Sequence, residues 1–181
     1  MPTIVLVRHG RTSANERGIL AGRSSGVTLD EVGRSQATTL ATRLSTVPFA
    51  TIVTSPLERT RETAAHNHAQ QGQNASEVVV DERFIECDYG TWTGQSLATL
   101  AKESLWKQVQ SHPSAVTFPD GESLMAMSMR AVAAIREWNQ QSSDADVLAV
   151  ISHGDVIKAV LSLIHISEPT RRRGISYAVF C

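Results

Sequence analysis

Apolar positions along the chain fall into two rhythms. Short continuous runs, TIVLV at 3–7, ATIVT at 50–54, EVVV at 77–80 and DVLAVIS at 146–152, are rich in β-branched residues. Such runs read as strands buried on both faces. Between them, apolar residues recur every three or four positions, as on one side of a helix. The first such stretch, TLDEVGRSQATTLATRLSTVP at 28–48, has Val32, Ala37, Leu40, Ala41 and Leu44 as its apolar face. Thr28 or Asp30 is its expected cap, and Pro48 closes it. PLERTRETAAHNHAQ at 56–70 predicts a second helix, with Ser55 as N-cap and Pro56 at its first position. Further helices are expected over LATLAKESLWKQVQ at 97–110, over SLMAMSMRAVAAIREWNQQ at 123–141 and from Asp155 onward. In the longest of these, Leu124, Met127, Ala131, Ala134, Ile135 and Trp138 share a face, and its methionines read as core filling.

The remaining stretches are polar or irregular. Residues 8–28 hold four glycines and read as a loop with one helical turn; 71–76 and 111–123 read as loops, and 81–97 as an irregular segment studded with aromatic residues. Strands alternating with helices predict a three-layer α/β sandwich, with a mostly parallel central sheet flanked by helices. In such sheets ligands bind outside the carboxyl ends of the strands. Three strands end in polar residues, VLVRHG, IVTSP and LAVISHG, so one sheet edge can collect His9, His153 and Arg59 although 144 positions separate the two histidines.

Composition narrows the field. With 181 residues, the chain suits one domain. Seventeen Lys and Arg against 18 Asp and Glu give a formal charge of −1, which favours neither nucleic acid nor an anionic membrane as a partner. No apolar run reaches membrane-span length, and the N-terminus lacks the pattern of a signal peptide, so the cytoplasm is the expected location. Two cysteines, Cys87 and Cys181, make no metal spacing. His66 and His68, two apart on a helix, do not share a face.

Two histidines, two arginines and a carboxylate suit phosphoryl transfer. A neutral imidazole nitrogen can attack phosphorus. The transition state then needs positioning and neutralisation of the equatorial oxygens, which the permanently charged forks of Arg8 and Arg59 can supply, with Asn15 as a neutral donor. A nearby acid, Glu82, Glu86 or Asp88, can protonate the leaving alkoxide and then activate water. Taken singly, His9 also reads as a strand-end histidine satisfied by backbone, and Arg59 as a helix-surface partner of Glu62. His9, His153 and Glu86 as a metal set would place a cation between two arginines, so no metal and no cofactor is expected.

VRHGRTSANERG resembles the signature of the histidine phosphatase superfamily, the phosphoglycerate mutase-like group. The resemblance extends in order through TSPLERTRETA, IECDYGTWTG and SHG, over roughly residues 3 to 161. It implies a nucleophile at His9, phosphate-binding residues at Arg8, Asn15 and Arg59, an acid/base at Glu86, selected by the adjoining Tyr89 and Gly90, and a second catalytic histidine at His153. Arg61 falls outside the pocket position, and Gly22 and Arg23 lie where members contact the rest of the substrate. Members often carry glutamate in place of Arg11 and Thr93. The implied activity is a phosphomonoester hydrolase acting on a small phosphorylated metabolite through a phosphohistidine. A phosphoglycerate mutase is the alternative, and an inactive phosphate-ester binder a third reading. Mutases carry a longer insertion before the last histidine, whereas 67 positions separate Glu86 from His153 here.

The end of the chain departs from the pattern. Members return to the sheet after their last helix, but here the helix runs into SEPTRRRG before ISYAVFC. Residues 175–180 are able to mimic a closing strand. SLIHISEPTR also resembles the translated read-through of a sequencing-adapter oligonucleotide. The expected division is therefore a domain over 1–161 and a non-native tail over 162–181.

Overall fold

A computed structural model describes residues 2–71, 77–167 and 175–177. Five strands, β1 (Thr3–Arg8), β2 (Phe49–Thr54), β3 (Val78–Val80), β4 (Val147–Ser152) and β5 (Ile175–Tyr177), form one sheet in the order β3-β2-β4-β1-β5, with every pairing parallel. Helices α1 (Ser13–Glu16), α2 (Glu31–Leu44), α3 (Glu58–Gln70), α4 (Leu97–Leu100), α5 (Ser104–Ser111), α6 (Leu124–Gln141) and α7 (Gly154–Ser167) fill the connections. This is the predicted α/β architecture of a mostly parallel sheet flanked by helices.

Side chains alternate across each strand, so one sheet separates two apolar layers. Val5, Val7, Ile52, Ala149 and Ile151 pack with Leu40 of α2 and Ala64 of α3. Ile4, Leu6, Val53, Leu148 and Val150 face the opposite way, toward α6, α7 and the aromatic residues Phe84, Tyr89, Trp92 and Phe118. The irregular stretch after β3 is therefore a second wall of the core. Its two 3₁₀ turns, Glu82–Phe84 and Gly90–Trp92, carry Phe84 and Trp92 inward.

Asp30 caps α2, accepting the Gly33 amide at 2.7 Å. Val32 departs from the expected face and is exposed; five residues before Ala37, it lies about 140° round the helix. Gly33, four before Ala37, takes the inward place and is buried. The predicted helix over 97–110 is two helices. Leu100 is buried and Leu105 packs against the same core, a five-residue spacing that a continuous helix would splay. In α6, Met127, Ala131, Ala134 and Ile135 are buried as expected, but Met125 and Met129 are exposed, so only part of the methionine content fills the core.

Ser55 does not cap α3. The helix begins two positions later than expected, with Leu57 at the capping position and no side-chain cap, and the Ser55 hydroxyl is engaged elsewhere. Among the described residues, strand β5 pairs with β1 at Ile4 to Leu6, on the side of β1 away from β4. Residues 72–76, the polar link at 168–174 and Cys181 lie outside the described residues. Cys87 is a buried free thiol.

Candidate active site

The carboxyl ends of β1, β2 and β4 converge. Parallel register sets Arg8 beside Ser152 and Thr54 beside Ile151, so the residues that follow, His9, Ser55 and His153, meet at one rim. The rings of His9 and His153 lie 5.3 Å apart, centroid to centroid, inclined at 61°. Both are buried, His153 completely.

Gly10 and Gly33 let the turn after β1 lie against α2. A Cβ on Gly10 would fall 2.5 Å from the Gly33 carbonyl oxygen, and one on Gly33 would fall 1.9 Å from that of Arg11. No other residue fits this backbone crossing. The Gly10 amide donates to Thr63 Oγ1 at 3.2 Å, tying the turn to α3. His9 Nδ1 lies 2.7 Å from the carbonyl oxygen of Gly10. A carbonyl only accepts, so Nδ1 carries the proton and Nε2 keeps its lone pair. Arg59 Nε donates to that Nε2 across 3.3 Å. Burial, with the charges of Arg59 and then Arg8, lowers the His9 pKa to about 3. The imidazole is neutral in ordinary buffers, as a nucleophile must be.

Arg59, the second residue of α3, is only 2% exposed, a rare placement for a guanidinium. Its Nη2 donates to the Gly22 carbonyl at 2.7 Å, while Nη1 has no partner. Gly22 makes this contact from a left-handed backbone (φ +51°), where a Cβ would stand 2.8 Å from Thr93 Oγ1. Arg8 lies over Gly154, and its Nε is buried and unpartnered. His153 Nε2 lies 2.8 Å from Ser55 Oγ, and its Nδ1 has no hydrogen-bond partner. Among the described residues, the buried side-chain nitrogens and oxygens lacking a partner are these three, Arg8 Nε, Arg59 Nη1 and His153 Nδ1. A buried polar atom left unmet costs about 1–3 kcal/mol, and all three belong to one rim.

Glu86 reaches the same place from the wall segment. Ser152 Oγ donates to the Phe84 carbonyl at 2.7 Å, fastening that segment to the end of β4. Glu86 Oε1 accepts the Cys87 amide at 2.9 Å, and Oε2 stands 3.8 Å from His153 Nδ1. Burial, then the nearby charge of Asp155, raises the Glu86 pKa to about 7, against the opposing pull of the Cys87 amide, Arg59 and Arg8. Asp155 is held by the Tyr89 hydroxyl at 2.7 Å. His153 is driven well below the ordinary imidazole range, by burial first and then by Arg59 and His9. Of the other acids weighed, Glu82 is exposed, and Asp88 accepts the Gly90 amide at 3.0 Å.

Asn15 sits in a capping box on α1. Its Oδ1 accepts from the Thr12 amide at 3.1 Å and from the Thr12 hydroxyl at 2.9 Å, so its NH2 is the end suited to a ligand. Arg23 is already engaged. Its Nε donates to the Glu86 carbonyl at 2.8 Å and its Nη2 to Glu122 at 3.0 Å. Arg130 donates to the same carbonyl at 3.2 Å and to Glu122 at 2.7 Å. Arg61 is exposed. Sequence reasoning missed Ser55, Gly33, Thr63, Asp155, Glu122 and Arg130. Each acts through a partner remote in the chain, which leaves no local signal.

A model of the histidine phosphatase superfamily (branch 1) matches residues 4–179. Phosphoserine phosphatase 1 of Hydrogenobacter thermophilus is 31% identical over 88% of this chain and 74% of its own length. The protein named "Probable phosphoglycerate mutase GpmB" of Cronobacter sakazakii is 32% identical over 91% and 75%. Longer relatives match as well: the chain spans 43% of a bifunctional protein of Mycobacterium tuberculosis, at 32% identity. Among solved structures, a phosphoserine phosphatase from Entamoeba histolytica, in complex with 3-phosphoglyceric acid, superposes with a TM-score of 0.79 at 27% identity, covering 94% of this chain and 83% of that one. On these matches the chain belongs to the histidine phosphatase superfamily and is an enzyme of the hydrolase class.

Proposed function

We propose that the protein hydrolyses the phosphomonoester of a small metabolite in two steps through a phosphohistidine on His9. Nε2 of His9 attacks phosphorus, the N–P bond forms, and the ester P–O bond breaks. Glu86, protonated below about pH 7, gives its proton to the leaving oxygen. Water then attacks the phosphohistidine, the Glu86 carboxylate takes the water's proton, and the N–P bond breaks to release inorganic phosphate. Arg8, Arg59, Asn15 and His153 hold the equatorial oxygens throughout, where charge accumulates.

The observation that supports this reading is the group of three unpartnered buried nitrogens around His9, two of them guanidinium donors. Unmet donors facing a neutral nucleophile suit a polyanion that brings its own acceptors. Arg59 Nε must leave the His9 lone pair as the phosphoryl group enters, and the long 3.3 Å contact makes that exchange cheap. Replacing His9 with alanine is expected to lower turnover of an aryl phosphate by at least about 10³-fold, with chelators without effect on the parent enzyme. Turnover retained in His9→Ala overturns the proposal.

A mutase is the second reading, favoured by the relative named for phosphoglycerate mutase. Assaying interconversion of the two monophosphoglycerates beside phosphate release separates them; phosphate release alone is expected.

A further inference from the structure

Ser55 and His153 are locked together at the ends of adjacent strands. The Ser55 amide donates to the Ile151 carbonyl at 3.0 Å, continuing the β2/β4 ladder. The Ser55 carbonyl accepts from the Thr54 hydroxyl at 3.1 Å and lies 2.9 Å from that of Thr60, whose one hydrogen it shares with the Leu57 carbonyl at 2.6 Å. Both Ser55 and His153 are fully buried, and their side chains meet at 2.8 Å.

We propose that Ser55 is a positioning residue that fixes the tautomer of His153, donating its hydroxyl proton to Nε2 so that Nδ1 bears the hydrogen presented to the phosphoryl group. The inference rests on the hydrolase reading above and adds the group that orients its second histidine.

Each tautomer leaves one hydrogen unmet among the protein's own groups, and the two differ in whether a phosphoryl oxygen can accept it. The Ser55 oxygen accepts a long contact from the Leu57 amide at 3.5 Å, and the acceptor its hydroxyl meets is His153 Nε2. With the hydroxyl donating, Nε2 and the hydroxyl are both satisfied, and Nδ1–H is the unmet donor. With Nε2–H donating instead, the hydroxyl hydrogen loses its acceptor, and a phosphoryl oxygen at Nδ1 cannot take that acceptor's place. That alternative also turns the Nδ1 lone pair toward Glu86 Oε2, 3.8 Å away, and removes the donor a phosphoryl oxygen needs. The tautomer of a histidine is set by the hydrogen bond its other nitrogen makes. Here that bond comes from a serine 98 positions away.

Long-range proton–nitrogen correlation spectra of histidine-labelled protein read this directly, with a His153→Gln variant assigning the resonances. The expected result is a protonated-type Nδ1 and an imine-type Nε2 for His153 in the parent protein. A protonated Nε2 overturns the proposal, whatever any variant does. In Ser55→Ala the tautomers are expected to mix and kcat to fall roughly 10-fold to 100-fold with KM little changed, while Ser55→Thr, which keeps the hydroxyl, recovers the parent tautomer and kcat. Ser55→Ala with tautomer and kcat both unchanged overturns it. Where Ser55→Ala does not fold, the parent spectrum alone decides. Failure of the hydrolase reading registers separately, in the turnover of His9→Ala.

Discussion

The proposed mechanism makes two demands of the Glu86 carboxyl group, which would hold a proton for the leaving group and surrender it before water attacks. Burial and Asp155 raise its pKa to about 7, so the acid form is abundant below neutrality and the base form within reach. The sign of the pH dependence follows. Above about pH 7 the general acid is lost, and kcat/KM for an alkyl phosphate falls; the rising limb comes from the second ionisation of the substrate, near pH 6. His9, neutral down to about pH 3, adds no limb of its own there. Glu86→Gln is expected to abolish the alkaline limb and to lower kcat/KM for alkyl phosphates roughly 10²- to 10⁴-fold. An aryl phosphate with an acidic phenol needs less help and is expected to lose less. Equal losses for both esters in a pH–rate series would assign Glu86 another role.

Among the elements, the turn after β1 and helix α2 act as one unit. Gly33 sits in a helix, where alanine would ordinarily gain about 1 kcal/mol. Packing reverses the sign, because a Cβ there would lie 1.9 Å from the Arg11 carbonyl oxygen. Gly33→Ala is expected to lower the urea midpoint by an amount corresponding to about 2 kcal/mol or more, with the m-value unchanged. An unchanged or raised midpoint contradicts this packing account. The same pair shows what a sequence discloses. The strand-ending polar residues RHG, TSP and SHG were legible because strand pattern and sheet topology are regular. Gly33 was hidden, since only the Gly10 turn crossing α2 makes it necessary. Ser55 was misassigned because cap preferences are local, whereas the partner of its hydroxyl is His153. Val32 departs because five residues separate it from Ala37, and residues 97–110, expected as one helix, divide where Leu100 and Leu105 stand the same five apart.

For the whole molecule, the layers and the parallel sheet followed from the alternation of strands and helices, and the site followed from the sheet edge. At the sheet edge, β5 pairs with β1 at Ile4 to Leu6 among the described residues, and an edge left unpaired exposes backbone groups to mispairing. We propose that residues 1–161 are the domain proper and that 162–181 are non-native. Replacing 162–181 with a closing helix and strand of the family type is expected to raise the melting midpoint; for a domain this size each kcal/mol corresponds to about 2–4 °C. Equal midpoints for the two proteins count against the division.

Trapping the proposed phosphohistidine separates a covalent route from direct attack by water. A rapid acid-free quench of enzyme mixed with phosphate-labelled ester, followed by peptide mapping, is expected to find acid-labile, alkali-stable phosphate on His9. Label on any other residue, or rapid turnover with no phosphorylated peptide at any time, contradicts the account.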